Sequence, residues 1–255
     1  MADLQYFQFP YMSDNYGVLI HSDTTGETAA VDAGDAGAVL AALKQKGWLL
    51  TDLFVTHHHA DHVEGLAEVK SATGCKVTGP AQHSNIAGLD NKVSEGDVFQ
   101  FAGCDVQVLH TPGHTTDMLN YYLPQQGVVF TGDTLFALGC GRLFEGNADM
   151  MWQSLNKLMA LPAATKVYCS HEYTEANAKF AVTVDPENTA LQRRFEEIKQ
   201  LRSEGKATVP TTIAEELETN PFLRADDKSI RAHLGMATAT DTEVFAEIRQ
   251  RKDNF

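Results

Sequence analysis

The chain has 255 residues, 43% of them hydrophobic, and a formal net charge of −14. This length is enough to bury a core, either in one large domain or in a main domain with a smaller addition. The acidic balance argues against nucleic acid as a partner, and the lack of a long apolar run or a signal-peptide pattern predicts a cytoplasmic protein with no membrane partner.

Strands and helices are predicted to alternate through the first two thirds of the chain. Apolar runs between glycines and polar turns predict strands, whereas helical periodicity with capping residues predicts helices. The predicted strands include 6–9, 16–20, 29–32, 53–56, 75–78, 97–101 and 166–169, and the predicted helices are 36–46, 62–73 and 150–161. This pattern predicts an α/β fold, but it does not distinguish two packed sheets from one doubly wound sheet.

Four histidines and one aspartate follow an apolar strand in the seven residues 56–62, which read Thr-His-His-His-Ala-Asp-His. Imidazole nitrogens and carboxylate oxygens are the usual ligands of zinc and similar divalent metals. The alternative is an incidental histidine run or a tag, but tags lie at chain termini rather than after a buried strand. The segment therefore predicts a metal site.

Three later apolar runs also end in candidate metal ligands. The candidates that follow these runs are His110 and His114, then Asp133, then His171. In layered α/β proteins, functional sites collect in the loops that leave the carboxyl ends of strands. We therefore predict that four strand ends converge on one metal site.

The part of the chain after residue 171 has a different character. Helices are predicted at 174–182, 187–204, 211–217 and 241–251, with few strand-like runs between them. This part holds 12 of the 20 Lys and Arg residues, which favours the binding of an anionic small molecule. The sequence therefore predicts a small helical domain over the mouth of the metal site.

The four cysteines form no C-x-x-C pair, so we expect reduced and mostly buried thiols. They are Cys75, Cys104, Cys140 and Cys169. Cys140 lies in a glycine-rich stretch after Asp133, and it is the cysteine that could line the site. A thiolate ligand is not needed, because histidine and aspartate residues already supply two coordination shells.

The motifs together resemble a known group of enzymes. The H-x-H-x-D-H pattern of residues 57–62, followed by a separate His, Asp and His, resembles the metallo-β-lactamase superfamily of binuclear metallohydrolases. Three further segments resemble its glyoxalase II, or hydroxyacylglutathione hydrolase, branch: GCGRLFEG at 139–146, HEYT at 171–174 and RQRKDNF at 249–255. The similarity spans essentially the whole chain.

This resemblance implies a fold and a domain division. Residues 1–171 would form a metallo-β-lactamase-like metal-binding catalytic domain, an αββα sandwich of two sheets between helices. Residues 172–255 would form a small C-terminal helical domain that binds the glutathione part of a substrate. We expect the protein to be a monomer.

The resemblance also implies a complete ligand set for two divalent metal ions. One ion would be bound by His57, His59 and His114, the second by Asp61, His62 and His171, and Asp133 would bridge the two. Zinc is the first expectation, with iron or manganese as alternatives. The implied chemistry is attack of a metal-bridging hydroxide on a thioester carbonyl, with Asp61 and Asp133 as the catalytic carboxylates.

The remaining candidates receive structural interpretations, because the ligand set is then complete. Asp32 is interpreted as a carboxylate that braces nearby loops, and His58 is expected to face away from the metals. His110 is expected to be an ordinary buried histidine or to support a ligand. No metal is expected at the isolated histidines, His21, His83 and His233.

The implied substrate is S-D-lactoylglutathione, with related S-2-hydroxyacylglutathiones, and the products are glutathione and D-lactate, a step of methylglyoxal detoxification. The resemblance assigns substrate contacts to five residues: Arg142, Phe144, Tyr173, Arg249 and Lys252. Relatives often carry Lys at the position of Arg142 and Tyr at that of Phe144. The phenylalanine lacks a hydroxyl group, so one polar contact to the tripeptide is expected to be missing.

Other functions remain open at this point. A persulfide dioxygenase shares the scaffold but uses one iron, and the complete ligand set favours hydrolysis over it. A tRNA-processing nuclease is disfavoured by the acidic charge, and a lactam hydrolase by His62, which those enzymes generally lack. A non-catalytic metal-binding protein is the alternative from a different class.

Overall fold

The computed structural model describes residues 3–82 and 85–255. The strands are β1 Leu4–Tyr11, β2 Asn15–Ser22, β3 Thr28–Val31, β4 Asp52–Phe54, β5 Lys76–Pro80, β6 Asn91–Val93, β7 Val98–Phe101, β8 Cys104–His110, β9 Leu119–Leu123, β10 Val128–Gly132, β11 Leu135–Phe136, β12 Gly139–Cys140, β13 Lys166–Cys169 and β14 Thr211–Thr212. The helices are α1 Ala36–Lys46, α2 Ala60–Val63, α3 Leu66–Thr73, α4 Ala148–Met159, α5 Thr174–Val184, α6 Thr189–Ser203, α7 Ile213–Thr219, α8 Lys228–Leu234 and α9 Asp241–Asp253, with a 3₁₀ turn at Pro221–Leu223. Over the described ranges, no helix is both long enough and apolar enough to cross a membrane.

The chain divides into two compact units. The first unit comprises Met1–His110 with Thr115–Gly132, and the second comprises Thr111–His114 with Asp133–Phe255. The predicted domain boundary between residues 171 and 172 was placed where mixed structure changes to helical structure. The two compact units are defined by their internal contacts instead, so the predicted boundary stays a prediction.

The first unit contains a six-stranded sheet in the order β1 to β6, in which the first three strands are antiparallel and β3 to β6 are parallel. It also contains the antiparallel strands β7 to β10. Helices α1 and α3 cover the six-stranded sheet, with Val39, Leu43 and Val69 packed against Leu53 and Val77. Burial of one such Leu or Val side chain stabilises the fold by about 1.5–3 kcal/mol.

The start of α1 follows the predicted capping, whereas one predicted helix is wrong in its extent. Asp35 caps α1 by accepting a hydrogen bond from the backbone N–H of Ala38, and Gly47 ends the helix in the left-handed region.

The single helix predicted over 62–73 is instead two helices, α2 and α3, that meet at Gly65. The Gly65 N–H donates to the carbonyl of Ala33 at 2.8 Å, and this contact with another element interrupts the helical pattern.

The second unit is mostly helical after residue 173, and it contains a buried ion pair. The guanidinium of Arg194 on α6 contacts the carboxylate of Glu216 on α7, and Glu216 is fully buried. The other Glu216 oxygen accepts hydrogen bonds from the Leu138 N–H at 2.8 Å and from the Asn220 amide at 2.9 Å. The ion pair therefore fixes the β11–β12 hairpin, which leads directly to Arg142.

Arg194→Met tests this ion pair, because it leaves the Glu216 carboxylate buried without its cation. Removal of one partner of a buried pair is expected to lower the free energy of unfolding by about 3–5 kcal/mol. Urea denaturation measures this change. The neighbouring Arg193 is exposed, so Arg193→Met is the matched control, with an expected change within about 0.5 kcal/mol. Equal stability of the two variants would show that the pair does not support the fold.

Candidate metal centre

His57, His58 and His59 lie between β4 and α2, where His59 has an extended backbone, and Asp61 and His62 lie in the first turn of α2. His57 and His62 are fully buried, with ring centroids 4.1 Å apart. The His57 and His59 rings lie 4.8 Å apart. Because side chains two apart in an extended segment point to the same side, the H-x-H spacing brings this second pair together.

Hydrogen bonds accepted by Asp32, directly from His62 and from the Thr56 hydroxyl that contacts His57, determine which ring nitrogen these two histidines offer. The Asp32 carboxylate contacts the Thr56 hydroxyl at 2.8 Å and His62 Nδ1 at 2.8 Å, and Thr56 Oγ1 contacts His57 Nδ1 at 3.0 Å. A carboxylate only accepts, so the Thr56 hydroxyl and His62 Nδ1 both donate to it. The Thr56 oxygen must then accept from His57 Nδ1–H. Both histidines therefore keep their lone pair on Nε2.

Asp32 also accepts the Thr56 N–H at 2.8 Å, so it ties β3 to the segment that follows β4. The interpretation of Asp32 as a brace is confirmed. Such support of metal-binding histidines by a neighbouring carboxylate fixes the ring orientation and the tautomer.

In the second unit, Asp133 directly follows β10, and its two carboxylate oxygens face two buried histidines. His114 Nε2 lies 3.3 Å from Oδ2, and His171 Nε2 lies 3.3 Å from Oδ1. His114 Nδ1 donates to the carbonyl of Arg142 at 2.8 Å, which leaves the His114 lone pair on Nε2. Asp133 thus presents one oxygen beside each ring.

Among the residues that the structure describes, three groups of possible metal ligands have their nitrogen and oxygen atoms within 4.8 Å of one another. The groups are His57 with His59 and His114, His57 with His62 and Asp133, and Asp61 with His62 and His171. All seven predicted metal ligands fall within these groups. Imidazole nitrogens with lone pairs and carboxylate oxygens fit zinc and other divalent metals, so the chemistry of the donor set suits a divalent metal site. The role of each residue stays a prediction.

The other histidines have contacts outside these groups. His58 Nδ1 contacts the buried carboxylate of Asp117 at 2.9 Å, and His110 Nε2 contacts the Thr116 carbonyl at 2.9 Å. His21 contacts Thr28 and stacks on Trp48, and His233 contacts the Thr183 carbonyl. His83 lies outside the described residues.

All four cysteines are buried and form no disulfide, as predicted. Burial raises the pKa of the Cys140 thiol to about 11, an effect partly opposed by the charge of Arg249. Burial also raises the pKa of Cys169 to about 12. Both thiols are therefore protonated near neutral pH, and neither belongs to the three ligand groups.

Three of the five predicted substrate contacts are cations that lie around one carboxylate, that of Asp253 in α9. Asp253 Oδ1 accepts from Arg249 Nη2 at 2.7 Å and from Arg142 Nε at 3.3 Å. The pKa of Lys252 is lowered, first by burial and then by the charges of Arg249 and Arg142. The sequence alone did not single out Asp253, although its i,i+4 spacing from Arg249 was a signal.

The five residues differ in their access to solvent. Arg249 is only 6% exposed, and its Nη1 donates to the carbonyl of Cys140 at 2.9 Å. Arg142 is exposed, and Phe144 and Tyr173 expose 61% and 37% of their surfaces. The Tyr173 ring stacks parallel to that of His171 at 4.7 Å. The exposed residues can contact a bound molecule, whereas the buried guanidinium of Arg249 is engaged by the protein.

Sequence comparison identifies two matching family models. The model described as "Metallo-beta-lactamase superfamily" matches residues 15–171, and the model described as "Hydroxyacylglutathione hydrolase C-terminus" matches residues 172–255. A relative named hydroxyacylglutathione hydrolase from Rhizobium meliloti (strain 1021) is 55% identical over 100% of both chains. Another of that name, from Brucella anthropi, is 55% identical over 99% of this chain and 97% of its own length.

Among solved structures, the crystal structure of ETHE1 from Myxococcus xanthus has a TM-score of 0.69 at 27% identity, covering 96% of this chain and 90% of its own. The family match and this likeness confirm the predicted metallo-β-lactamase-like fold with a C-terminal helical region. They also agree with divalent metal binding at the histidine and aspartate groups. Full-length identity of 55% to the Rhizobium protein, together with both family models, shows that the chain belongs to the hydroxyacylglutathione hydrolase family of the metallo-β-lactamase superfamily.

Proposed function

We propose that the protein hydrolyses the thioester of S-D-lactoylglutathione and of related S-2-hydroxyacylglutathiones, releasing glutathione and the hydroxy acid. Relatives that match over the full length and are named hydroxyacylglutathione hydrolase support this activity. The observation that carries the proposal is that seven nitrogen and oxygen donors fall into three overlapping groups, in each of which the donor atoms lie within 4.8 Å of one another. Asp133, with one oxygen 3.3 Å from a histidine nitrogen on each side, suits the role of a shared ligand.

The donor set suits two divalent ions rather than one. His57, His59 and His114 would hold the first ion, Asp61, His62 and His171 the second, and Asp133 would serve both. Five neutral imidazoles and two carboxylates carry a formal charge of −2, so two dications would leave the site positive. A positive site attracts the anionic substrate and stabilises the oxyanion that forms on the thioester carbonyl. Zinc is the leading candidate, with iron and manganese as alternatives.

When bound, the ions would polarise the thioester carbonyl and lower the pKa of water at the site towards about 7. Asp61 is partly exposed, and its carboxylate would accept a hydrogen bond from the attacking water and so orient it. The leaving thiol has an ordinary pKa of about 8.5, so its departure needs little help from an acid. The protonated, buried thiols of Cys140 and Cys169 take no part.

The cations near Asp253 suit the carboxylates of glutathione. Arg142 and Lys252 are the more accessible, and we propose that they contact the tripeptide directly. The buried Arg249 would not contact the substrate. It would add positive potential to the site and hold Asp253 in place through its hydrogen bond. Phe144 and Tyr173 would offer ring faces, and the missing hydroxyl of Phe144 would remove one polar contact.

Two other functions are less well supported. A persulfide dioxygenase with a single iron would leave several of the seven grouped donors without a metal, and relatives matched over their full length have the hydrolase name. A non-catalytic metal-binding protein does not explain the cationic cluster around Asp253. A monomer in the cytoplasm is still a prediction.

Removal of the shared carboxylate tests the two-ion arrangement. Asp133→Ala is expected to reduce metal content from two ions per chain to one or fewer, as measured by elemental analysis. Thiol release should fall more than about 100-fold, because loss of groups that merely orient ligands already costs about 10–100-fold. Asp226 is exposed, so Asp226→Ala is a control that should behave as wild type. Full metal content in Asp133→Ala would contradict the scheme.

Removal of the metal provides a test without mutation. Dialysis against a chelator is expected to abolish thiol release from S-D-lactoylglutathione, and added zinc should restore it. Elemental analysis before and after dialysis confirms the depletion. Undiminished turnover by metal-free protein would exclude a metal-dependent hydrolase.

Substitution of the accessible cations tests the substrate site. Arg142→Ala and Lys252→Ala are each expected to raise KM about tenfold with kcat nearly unchanged, because a lost charge-assisted hydrogen bond is worth about 1.5 kcal/mol or more. The combination of Arg249→Ala with Lys252→Ala should raise KM further, and Arg193→Ala is the control. With a substrate esterified at its glycine carboxylate, the difference in KM between the variants and wild type should be smaller. Unchanged KM in all variants would place glutathione elsewhere.

A further inference from the structure

The turn that joins β1 to β2 contacts Asp61 in two places. Tyr11 ends β1 and Asn15 begins β2, and these residues lie opposite each other in the strand pairing. Side chains of directly opposed residues point to the same face of a sheet. Both therefore reach the same neighbour: the Tyr11 hydroxyl donates to the Asp61 backbone carbonyl at 2.9 Å, and the Asn15 amide donates to Asp61 Oδ2 at 3.0 Å.

The two hydrogen bonds have different consequences. The Tyr11 bond and the close packing of Gly34, where a Cβ atom would lie 1.8 Å from the Asp61 carbonyl oxygen, both fix the backbone of Asp61. The Asn15 bond acts on the carboxylate alone. Because the Asp61 side chain is partly exposed, this bond favours one orientation of the carboxylate over rotation towards solvent.

The position of Asp61 Oδ2 indicates the function of its hydrogen bond with Asn15. This oxygen also lies 3.4 Å from His62 Nε2, the nitrogen that keeps a lone pair. Two electron-rich atoms that face each other at this distance are arranged for a shared cation. A carboxylate oxygen can accept one amide hydrogen and still bind a cation, because it has two lone pairs.

From these contacts we infer that Asn15 is a positioning residue that aims the Asp61 carboxylate at the metal site. Asn15 is 4% exposed and is held at the start of a strand, so its amide has little freedom. An amide orients the carboxylate without adding charge, whereas Lys or Arg at this place would compete with the metal for the same oxygen. The inference rests on the proposed function, because it takes Asp61 to be a metal ligand.

The test compares zinc affinity in three variants, each of which removes one hydrogen bond to Asp61. Asn15→Leu removes the amide donor and retains most of the side-chain volume, and Asn15→Ala removes both. Tyr11→Phe removes only the donor to the Asp61 backbone, so it is the matched control. Metal-free, full-length proteins are titrated with zinc against a competing chelator, and the melting temperature of each metal-free protein is recorded.

Both Asn15 variants are expected to bind the weaker zinc ion about 10–100-fold less tightly than wild type, the usual effect of losing a group that orients a metal ligand. Tyr11→Phe should lower the melting temperature and leave zinc affinity within about threefold of wild type. Wild-type affinity in Asn15→Leu would overturn the inference, as would an equal loss of affinity in Tyr11→Phe. Failure of the proposed function is distinguishable, because the wild-type protein would then bind fewer than two ions or release no thiol.

Discussion

The hydrogen bonds of the Asp32 carboxylate are the interaction on which the metal site depends. They assign the protons on His57 and His62, the first through Thr56 and the second directly. Asp32 has a φ of 59°, in the left-handed region, which costs about 1–3 kcal/mol for a residue other than glycine. Hydrogen bonds to a charged group contribute about 1.5–3 kcal/mol each, so the three bonds to Asp32 outweigh this strain. The backbone conformation is thus held by the bonds that organise the ligands.

The same bonds have an electrostatic consequence. A carboxylate against Nδ1 makes the imidazole a better electron donor at Nε2, which favours a bound cation. Asp61 and Asp133 add two negative charges to the grouped imidazoles, so the set is most stable when cations are present. Metal binding to the folded chain alone would therefore stabilise it, by about 4 kcal/mol at a metal concentration 1,000 times Kd. Folding and metal binding are linked in the proposed scheme.

The metal motif could be predicted from sequence because its signals are local. Histidines and aspartates at the ends of apolar runs predicted strand-end donors, and α1 with its caps followed from local patterns. The break between α2 and α3 could not be predicted, because it comes from a bond between Gly65 and the distant Ala33. The contact made by Asn15 could not be predicted for the same reason. Its partner, Asp61, lies 46 positions away, and no local pattern encodes that contact.

The C-terminal cations show a further limit of local patterns. Arg249 and Lys252 belong to one short motif, yet the guanidinium of Arg249 is buried against Asp253 and the Cys140 carbonyl, while Lys252 is more accessible. A spacing of three residues places Arg249 and Lys252 near one face of the helix. It does not determine which of the two side chains is buried by the segment that contains Cys140.

Two glycines allow the backbones of Asp61 and Asp133 to pack closely against neighbouring segments. A Cβ atom at Gly34 would lie 1.8 Å from the Asp61 carbonyl oxygen, and one at Gly141 would lie 2.0 Å from that of Asp133. Each proposed carboxylate ligand thus has its backbone packed against a position where any side chain would force the chain apart. Glycine at these two places permits the close approach, and at Asp61 a hydrogen bond from Asn15 then sets the direction of the side chain. At Asp61, backbone packing and side-chain orientation are therefore supplied by different residues, so substitutions there can separate the effects on stability and on metal affinity.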